Sequence, residues 1–235
     1  MASKAKRILG GVVMEPMREL LLRQATHLFA TKGYDATSVQ DVVDVADVTK
    51  GAFYYHFESK DDLLYEIHQR FITYELEHAE QIVAQNLPPR DTLHALVVNL
   101  VESIALFQPE VTVFFRDMHR LSPKKFAAIK ETRDRYESHF RSVIEKGQDE
   151  GVFRSDVPGK IQTLAVFGMC NWMYKWYRSG GPESPRQIGK DFAMLLLSGI
   201  EVHAGFRQMP VSGPVSADGD TRLDTSSASR TATRR

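Results

Sequence analysis

The chain has 235 residues, of which 43% are hydrophobic and 26% are charged. This composition is typical of a folded globular protein and argues against wholesale disorder. The 30 basic residues balance the 30 acidic ones, which argues against a protein that coats a polyanion along its whole surface. A local DNA-binding face is compatible with zero net charge, because only a few cations need to reach phosphates.

The cysteine content and the hydropathy of the chain indicate in which cellular compartment the protein is expected. Cys170 is the only cysteine, so it cannot form an internal disulfide, and no histidine cluster stands with it at zinc-ligand spacing. The apolar run from Ile8 to Val13 is too short for a signal peptide, and no stretch of about 18 apolar residues occurs. We therefore expect a cytoplasmic protein with no membrane span, no metal and no cofactor.

Apolar residues recur with helical period along almost the whole chain, and Pro, Gly, Ser and Asp stand where helices should begin and end. No segment alternates with the period of a strand. These patterns predict an all-α fold of about nine helices. The predicted helices cover residues 16–33, 38–45, 49–55, 59–85, 90–107, 109–120, 122–149, 156–178 and 184–205.

Composition and motifs divide the chain into four regions. Residues 1–15 are expected to form a flexible arm, whose basic residues Lys4, Lys6 and Arg7 could follow a minor groove. The other predicted regions are a DNA-binding domain at 16–62, a ligand-binding and dimerisation domain at 63–208, and a disordered tail at 209–235. The tail is assigned because it has almost no large apolar residue.

The segment 37–64 predicts a helix-turn-helix, because two short helices separated by three residues precede a longer one. Apolar side chains on both short helices can pack together and fix their crossing. These side chains are Val39, Val42, Val43, Ala46, Val48 and Phe53. The exposed face of the second short helix would then enter a major groove.

Several residue types in this segment suit DNA contacts. Ser38 at a helix N-terminus can hold a phosphate, Lys50 adds a mobile cation, and Gly51 lets the DNA backbone approach closely. Tyr54 and Tyr55 offer flat rings with polar tips, although either could instead pack against the fourth helix. The candidate DNA contacts are Thr37, Ser38, Thr49, Lys50, Gly51, Tyr54, Tyr55, His56 and Lys60, the last as a phosphate anchor.

The segment FATKGYDATSVQDVVDVADVTKGAFYYHFESKDDLL resembles the N-terminal signature of the TetR/AcrR transcriptional repressors, typically AGVSKGTLYHHFPSKEALL. The match covers about residues 17–65, and Asp47 replaces the usual turn glycine. The resemblance implies a homodimer that binds a palindromic operator and is released by a small-molecule effector. It also implies that helices five to seven enclose the effector and that the last two helices pair with a second subunit.

The segment from Asn171 to Gly181 resembles the helix ending WYRPGG of TetR-type regulators that sense acyl-coenzyme A thioesters from fatty-acid, aromatic or steroid degradation. Ser179 replaces the usual proline. The resemblance and the clustering of aromatic residues suggest a set of effector contacts, although plain core packing is the alternative. The candidates are Phe107, Phe114, Phe115, Met118, His119, Asn171, Trp172 and Arg178.

The last two predicted helices are apolar on nearly every face, as expected of helices that touch both their own core and a partner subunit. The residues expected at the dimer interface are Phe167, Trp176, Phe192, Leu195, Leu196 and Ile200.

The sequence contains no recognisable set of catalytic residues. Cys170 lies among apolar residues without an evident base, and no GxSxG, HExxH or P-loop motif occurs. We therefore expect no enzymatic activity. The alternative to a DNA-binding regulator is a helical adaptor that binds a protein partner, and salt-dependent DNA binding distinguishes the two.

Overall fold

The computed structural model describes residues 8–9, 12–13 and 15–202, which form ten α-helices, a short 3₁₀ turn at Met118–Arg120 and a two-stranded hairpin. The prediction of an all-α fold is confirmed. The helices are α1 (Met17–Lys32), α2 (Val39–Ala46), α3 (Lys50–His56), α4 (Lys60–Val83), α5 (Pro89–Leu106), α6 (Gln108–Asp117), α7 (Pro123–Asp149), α8 (Gly159–Asn171), α9 (Met173–Trp176) and α10 (Pro185–Ile200).

The hairpin was not predicted. Strand β1 (Ile8–Leu9) pairs antiparallel with β2 (Val12–Val13), with Ile8 opposite Val13. In the sequence these apolar pairs flank two glycines, a combination that favours tight hairpins. The signal was missed because each strand has only two residues. The basic residues of the predicted arm and the predicted tail at 209–235 lie outside the described residues.

The predicted eighth helix is also two helices. It begins at Gly159 rather than Asp156, α8 ends at Asn171, and α9 follows after Trp172. Asp156 instead accepts hydrogen bonds from Arg154 in the preceding loop. This break raises the helix count from the expected nine to ten within the described residues.

Side chains at the helix starts explain where the helices begin. Ser38, Thr49, Ser59 and Ser184 each accept a hydrogen bond from the backbone N–H three residues later. In the turn after α2, Asp47 adopts a left-handed backbone with φ 54°, a conformation that Asp tolerates better than most residues. The helix-turn-helix therefore forms without the glycine that usually occupies this turn.

The long helix α4 joins the two halves of the core. It packs against α1, α5, α6 and α7. Helix α5 lies close along α10, where a Cβ on Gly189 would come within 3.0 Å of the Val98 Cα. The predicted boundary at 62/63 therefore falls within the first turn of a continuous helix.

None of the helices in the described part of the chain is by itself long and apolar enough to cross a bilayer. Helix α5 and the segment Gln108–Arg120 pass such a test together, on length and composition alone. The chain bends by 94° between them, and most of the apolar side chains of α5 are buried in the core.

Candidate DNA-binding surface and effector cavity

The helix-turn-helix is held together by a buried apolar cluster. Val42, Val43 and Ala46 of α2 and Phe53 of α3 are at most 7% exposed. Because these residues take up the inner faces of both helices, the opposite face of α3 is left toward solvent.

Helix α3 presents the residues expected to meet DNA. Tyr54 and Tyr55 are 56% and 84% exposed, so both rings lie largely in solvent. Thr49 and Lys50 are exposed at the N-terminus of the same helix. The His56 ring is half-buried and stands edge-on to Tyr55, with 5.0 Å between ring centroids. These residues form one continuous surface, which we call the α3 surface: Thr49, Lys50, Gly51, Tyr54, Tyr55 and His56.

Gly51 on the α3 surface is not required by the fold. A Cβ at this position would meet only the Thr49 Oγ1, at 3.6 Å, which is an ordinary van der Waals contact. A helical glycine costs up to about 1 kcal/mol relative to alanine. The free space is therefore available to an approaching molecule.

Three predicted DNA contacts make internal hydrogen bonds instead. The Thr37 side chain is buried, and its hydroxyl donates to the Gly33 carbonyl at 2.7 Å. Lys60 donates to the carbonyls of Tyr34 and Thr37, at 2.8 and 2.9 Å. The pKa of Lys60 is lowered, chiefly by burial. Thr37 and Lys60 thus hold the turn between α1 and α2.

The Ser38 hydroxyl both accepts from the Asp41 N–H and donates to the Asp41 carboxylate, so it is also engaged. The same carboxylate accepts from the Ser38 N–H at 2.6 Å and from the Lys32 ammonium at 2.9 Å. These bonds, led by that of the Ser38 hydroxyl, hold the pKa of Asp41 well below its usual range. A phosphate at this helix N-terminus would have to displace a carboxylate.

A cavity of about 240 Å³ lies among α4, α5, α6, α7 and α8. Five of the eight predicted effector contacts line it. They are Phe114, Phe115, Met118, His119 and Asn171. The remaining wall was not predicted and consists of Phe71, Ile72, Glu75, Leu100, Arg133, Tyr136, Glu137 and Phe167. The enclosing helices therefore extend beyond the expected fifth to seventh, to include α4 and α8.

Three predicted effector contacts lie away from this cavity. Phe107 packs against Tyr74, with 4.7 Å between ring centroids. Trp172 is 61% exposed. It is the residue after Asn171, and successive residues in helical geometry point in different directions, so Trp172 points away from the wall that Asn171 lines. Arg178 donates to the Tyr177 carbonyl at 2.9 Å and borders a separate hollow beside Trp176.

One end of the cavity contains a buried polar group. Glu75 of α4 is 1% exposed, and its carboxylate accepts a hydrogen bond from the Ser103 hydroxyl of α5. Burial raises the pKa of Glu75 to about 7. The sequence pattern could have predicted this buried carboxylate. Glu75 follows Phe71 by four residues and so lies on the apolar face of its helix.

The opposite end of the cavity opens toward solvent. Phe115 and His119 are exposed at this rim, and the Arg133 and Glu137 side chains are 30% and 39% exposed. The Arg133 guanidinium lies 3.5 Å from the Glu137 carboxylate. The rim can therefore hold charged or strongly hydrated parts of a ligand, in contrast to the buried end.

Helices α8, α9 and α10 carry an exposed apolar face. Its members, which we call the α8/α10 face, are Ile161, Leu164, Trp172, Trp176, Met194 and Leu195. Of the predicted interface residues, Trp176 and Leu195 belong to this face, while Phe192, Leu196 and Ile200 are half-buried at its edge. Phe167 is 8% exposed and packs against Phe140 in the core, so it offers little surface to a partner subunit.

The segment 114–120, which contributes to the cavity wall, also contacts the end of α1 and the turn after it. Arg116 of α6 donates to the carbonyls of Phe29 and Ala30 at the end of α1. Arg120 pairs with Asp35 at 2.6 Å, just beyond α1. Phe114, Phe115, Met118 and His119 of the cavity wall alternate with these two arginines in the sequence. A change in the position of this segment would therefore alter both the cavity wall and its contacts with the end of α1.

Cys170 is fully buried, and desolvation raises its pKa to about 12, so the thiol stays protonated. Across residues 15–202 no three His, Cys, Asp or Glu side chains are grouped as metal ligands.

Comparison with known proteins gives two matching family models. Residues 21–67 match the model for bacterial regulatory proteins of the tetR family, and residues 86–200 match the tetracyclin repressor-like C-terminal domain. The HTH-type transcriptional repressor KstR2 of Rhodococcus jostii is 30% identical over 184 residues, covering 78% of this chain and 90% of that protein.

Solved structures share the fold. The ketosteroid transcriptional regulator KstR2 of Mycobacterium tuberculosis superposes with a TM-score of 0.76 at 27% identity, covering 81% of this chain and 97% of that one. AibR, solved with isovaleryl coenzyme A and operator DNA, has the same fold at 22% identity and a TM-score of 0.71, covering 77% of this chain and 98% of that one. The chain therefore belongs to the TetR family of bacterial transcriptional regulators.

Proposed function

We propose that the protein is a homodimeric repressor that holds a palindromic operator through its two α3 surfaces and releases it when a small molecule occupies the cavity. The exposure of the α3 surface is the observation that carries the DNA-binding part. Lys50, Tyr54 and Tyr55 extend into solvent on a helix whose other face is locked into the core. Phosphate and base-edge contacts both require such free polar groups.

The α8/α10 face supports dimerisation. Large apolar side chains clustered on one surface are typical of an interface rather than of free solvent exposure. Gly168 of α8 is exposed among them, and a Cβ there would meet nothing within 4 Å of its own chain. Because Gly168 has no side chain, a partner helix has room to approach α8 at this position. Two-fold pairing would place two reading helices about one DNA turn apart, roughly 34 to 36 Å.

Effector control is supported by helix α4, which both lines the cavity and directly follows the helix-turn-helix. Helix α4 lines the cavity at Phe71, Ile72 and Glu75 and begins at the helix-turn-helix. An effector that requires a tilted α4 or a displaced Arg116 would change the separation of the two reading helices. Release needs only about 1 to 3 kcal/mol of coupling, and DNA must then weaken effector binding by the same factor.

The effector class we propose is an acyl-coenzyme A thioester from fatty-acid, aromatic or steroid catabolism. The apolar cavity suits an acyl group, and the polar rim at His119 and Arg133 suits a thioester carbonyl or phosphate. The relative of known structure named above is a ketosteroid regulator, which favours the steroid branch. The resemblance of residues 171–181 to thioester sensors adds support.

The deciding experiment titrates the purified protein with DNA from upstream of its own gene, at several salt concentrations. A panel of acyl-coenzyme A thioesters and the matching free acids is then added to the complex. Release by thioesters alone supports the full proposal. Binding without release by any compound would retain the DNA-binding function and contradict the effector class.

Lys50→Ala provides the variant that tests the DNA contact, and Lys146→Ala, at an exposed lysine of α7, is its matched control. Loss of one phosphate contact should lower the slope of log K against log salt by about 0.9 per subunit for Lys50→Ala. The control should leave the slope unchanged. Absence of any DNA binding at low salt would instead favour the protein adaptor.

A further inference from the structure

The buried end of the cavity contains a carboxyl oxygen that nothing in the described part of the chain satisfies. Glu75 uses its Oε1 to accept the Ser103 hydrogen bond. Its Oε2 is buried without a hydrogen-bond partner. Buried polar atoms in folded proteins are nearly always hydrogen-bonded, so this oxygen is available to bond to an atom that a ligand brings into the cavity.

A second unsatisfied group faces the same space from another helix. The Tyr136 hydroxyl of α7 is also buried without a hydrogen-bond partner, and Tyr136 and Glu75 both line the cavity. The two groups also face each other: a hydrogen bond between them acts to lower the pKa of Glu75 and to raise that of Tyr136, although its geometry is too poor to satisfy either atom. One donor and one carboxyl therefore line the cavity with a poorly formed hydrogen bond between them, which leaves both able to bond to a ligand atom.

The wall around these two groups is apolar. Phe71, Ile72, Leu100, Phe114 and Phe167 complete the buried end. A ligand that fills this space must be mostly apolar, because the wall offers it few hydrogen bonds. Any polar atom that the ligand brings here has to lie near Glu75 and Tyr136.

We propose that Tyr136 and Glu75, the latter held in place by Ser103, form a subsite for one uncharged oxygen, a ketone or a hydroxyl, carried on the apolar part of the effector. The inference rests on the proposed function only in taking this cavity as the effector site. The Tyr136 hydroxyl donates to a ketone, and the Glu75 carboxyl accepts from a hydroxyl when ionised or donates when protonated. A ligand carboxylate is rejected at this end, because burying its charge among apolar side chains is costly and an ionised Glu75 beside it would repel it.

Four bicyclic compounds of nearly equal shape test this subsite: 1-tetralone, 1-tetralol, tetralin and 1,2,3,4-tetrahydro-1-naphthoate. Binding to the full-length protein is measured by calorimetry. We expect the ketone and the alcohol to bind about tenfold more tightly than tetralin, which is the size of one well-formed buried hydrogen bond. The carboxylate should bind more weakly than either. Equal affinities for tetralone and tetralin would overturn the proposal, as would failure of all four to bind.

Variants then assign the preference to the named groups. Glu75→Leu and Tyr136→Phe should each lower the ratio of tetralone to tetralin affinity, whereas Glu75→Gln, which keeps a donor and an acceptor, should retain most of it. Thr92→Val is the matched control, because it removes a buried hydroxyl that bonds to the Leu87 carbonyl outside the cavity. An unchanged ratio in both Glu75→Leu and Tyr136→Phe would show that the preference arises elsewhere.

A spectroscopic readout separates hydrogen bonding from a general effect on packing. The carbonyl stretch of bound 1-tetralone should lie at lower frequency in the wild-type protein than in Glu75→Leu. Operator binding is measured on the same preparations. A protein that binds operator but is released by no compound contradicts the proposed effector control, while the affinity ratio and the carbonyl frequency decide the subsite separately.

Discussion

The α3 surface and the effector cavity differ in how far apart their residues lie along the chain. The α3 surface is built from residues 49–56 of one short helix, whereas the cavity draws its wall from five helices between Phe71 and Asn171. A local surface is recognisable from spacing alone. A cavity assembled from distant helices depends on packing, and its chemistry emerges only from the assembled fold.

The two regions also differ in their exposure to water. Tyr55 on the α3 surface is 84% exposed, while Glu75 in the cavity is 1% exposed. Substitutions on the first should change binding and spare stability. Substitutions in the second should change stability together with the ligand response.

The largest expected effect is on stability and comes from Glu75→Gln. Burial raises the pKa of Glu75 from an ordinary 4.5 to about 7 in the folded chain. Ionising it in the folded state therefore costs about 3 kcal/mol. The folded state binds the extra proton between these two pKa values, so the wild-type protein loses this stability as the pH rises from about 4.5 to about 7.

Urea unfolding of both proteins at pH 5 and pH 8, at one protein concentration, measures this cost. The variant should match the wild type near pH 5 and be more stable by up to about 3 kcal/mol at pH 8. His68 produces the opposite slope, because burial lowers its pKa to about 4, but it is common to both proteins and cancels in the difference. A difference that does not change with pH would contradict the raised pKa of Glu75.

The contrast between the two regions explains what the sequence could predict. Cap residues, the helix-turn-helix core and the exposed face of α3 follow from short-range patterns, and the structure agrees with them. Thr37 and Lys60 carry the expected residue types, yet their hydrogen bonds are internal, because tertiary contacts set the direction of a side chain. Tyr136 could not have been placed in a site, since its role depends on α4 and α7 packing side by side.

A second prediction concerns the α3 surface alone. Tyr55→Ala should weaken operator binding by about 1–2 kcal/mol, since it removes a polar-tipped ring from the reading helix. Unfolding free energy should change by less than about 0.5 kcal/mol, because the ring is exposed in the free protein. Leu106→Ala, which truncates another exposed side chain, 66% accessible, is the control in the same DNA-binding assay. Equal operator affinities for both variants would remove Tyr55 from the DNA interface.

A third prediction joins the two regions. Arg116→Met removes the bonds from α6 to the Phe29 and Ala30 carbonyls. Effector affinity of the DNA-free protein should be unchanged, while the coupling between effector and operator should fall by about 1 kcal/mol. Coupling is obtained from operator affinity with and without saturating effector. Arg135→Met, which breaks an exposed ion pair with Glu80, should leave it intact, and equal coupling in both variants would mean that α4 alone carries the signal.

The smallest expected effect separates stability from recognition at a single atom. Gly51→Ala adds a Cβ that meets only the Thr49 Oγ1, at an ordinary 3.6 Å, so it should stabilise the folded chain by about 0.5–1 kcal/mol through helix propensity and reduced freedom of the unfolded state. The same methyl group would stand where the DNA backbone is expected to approach, so operator affinity should fall. Thermal unfolding and an operator titration on one preparation give both quantities. A variant that is more stable and binds operator as tightly as the wild type would mean that the DNA backbone keeps its distance from Gly51, and the glycine would then need another explanation.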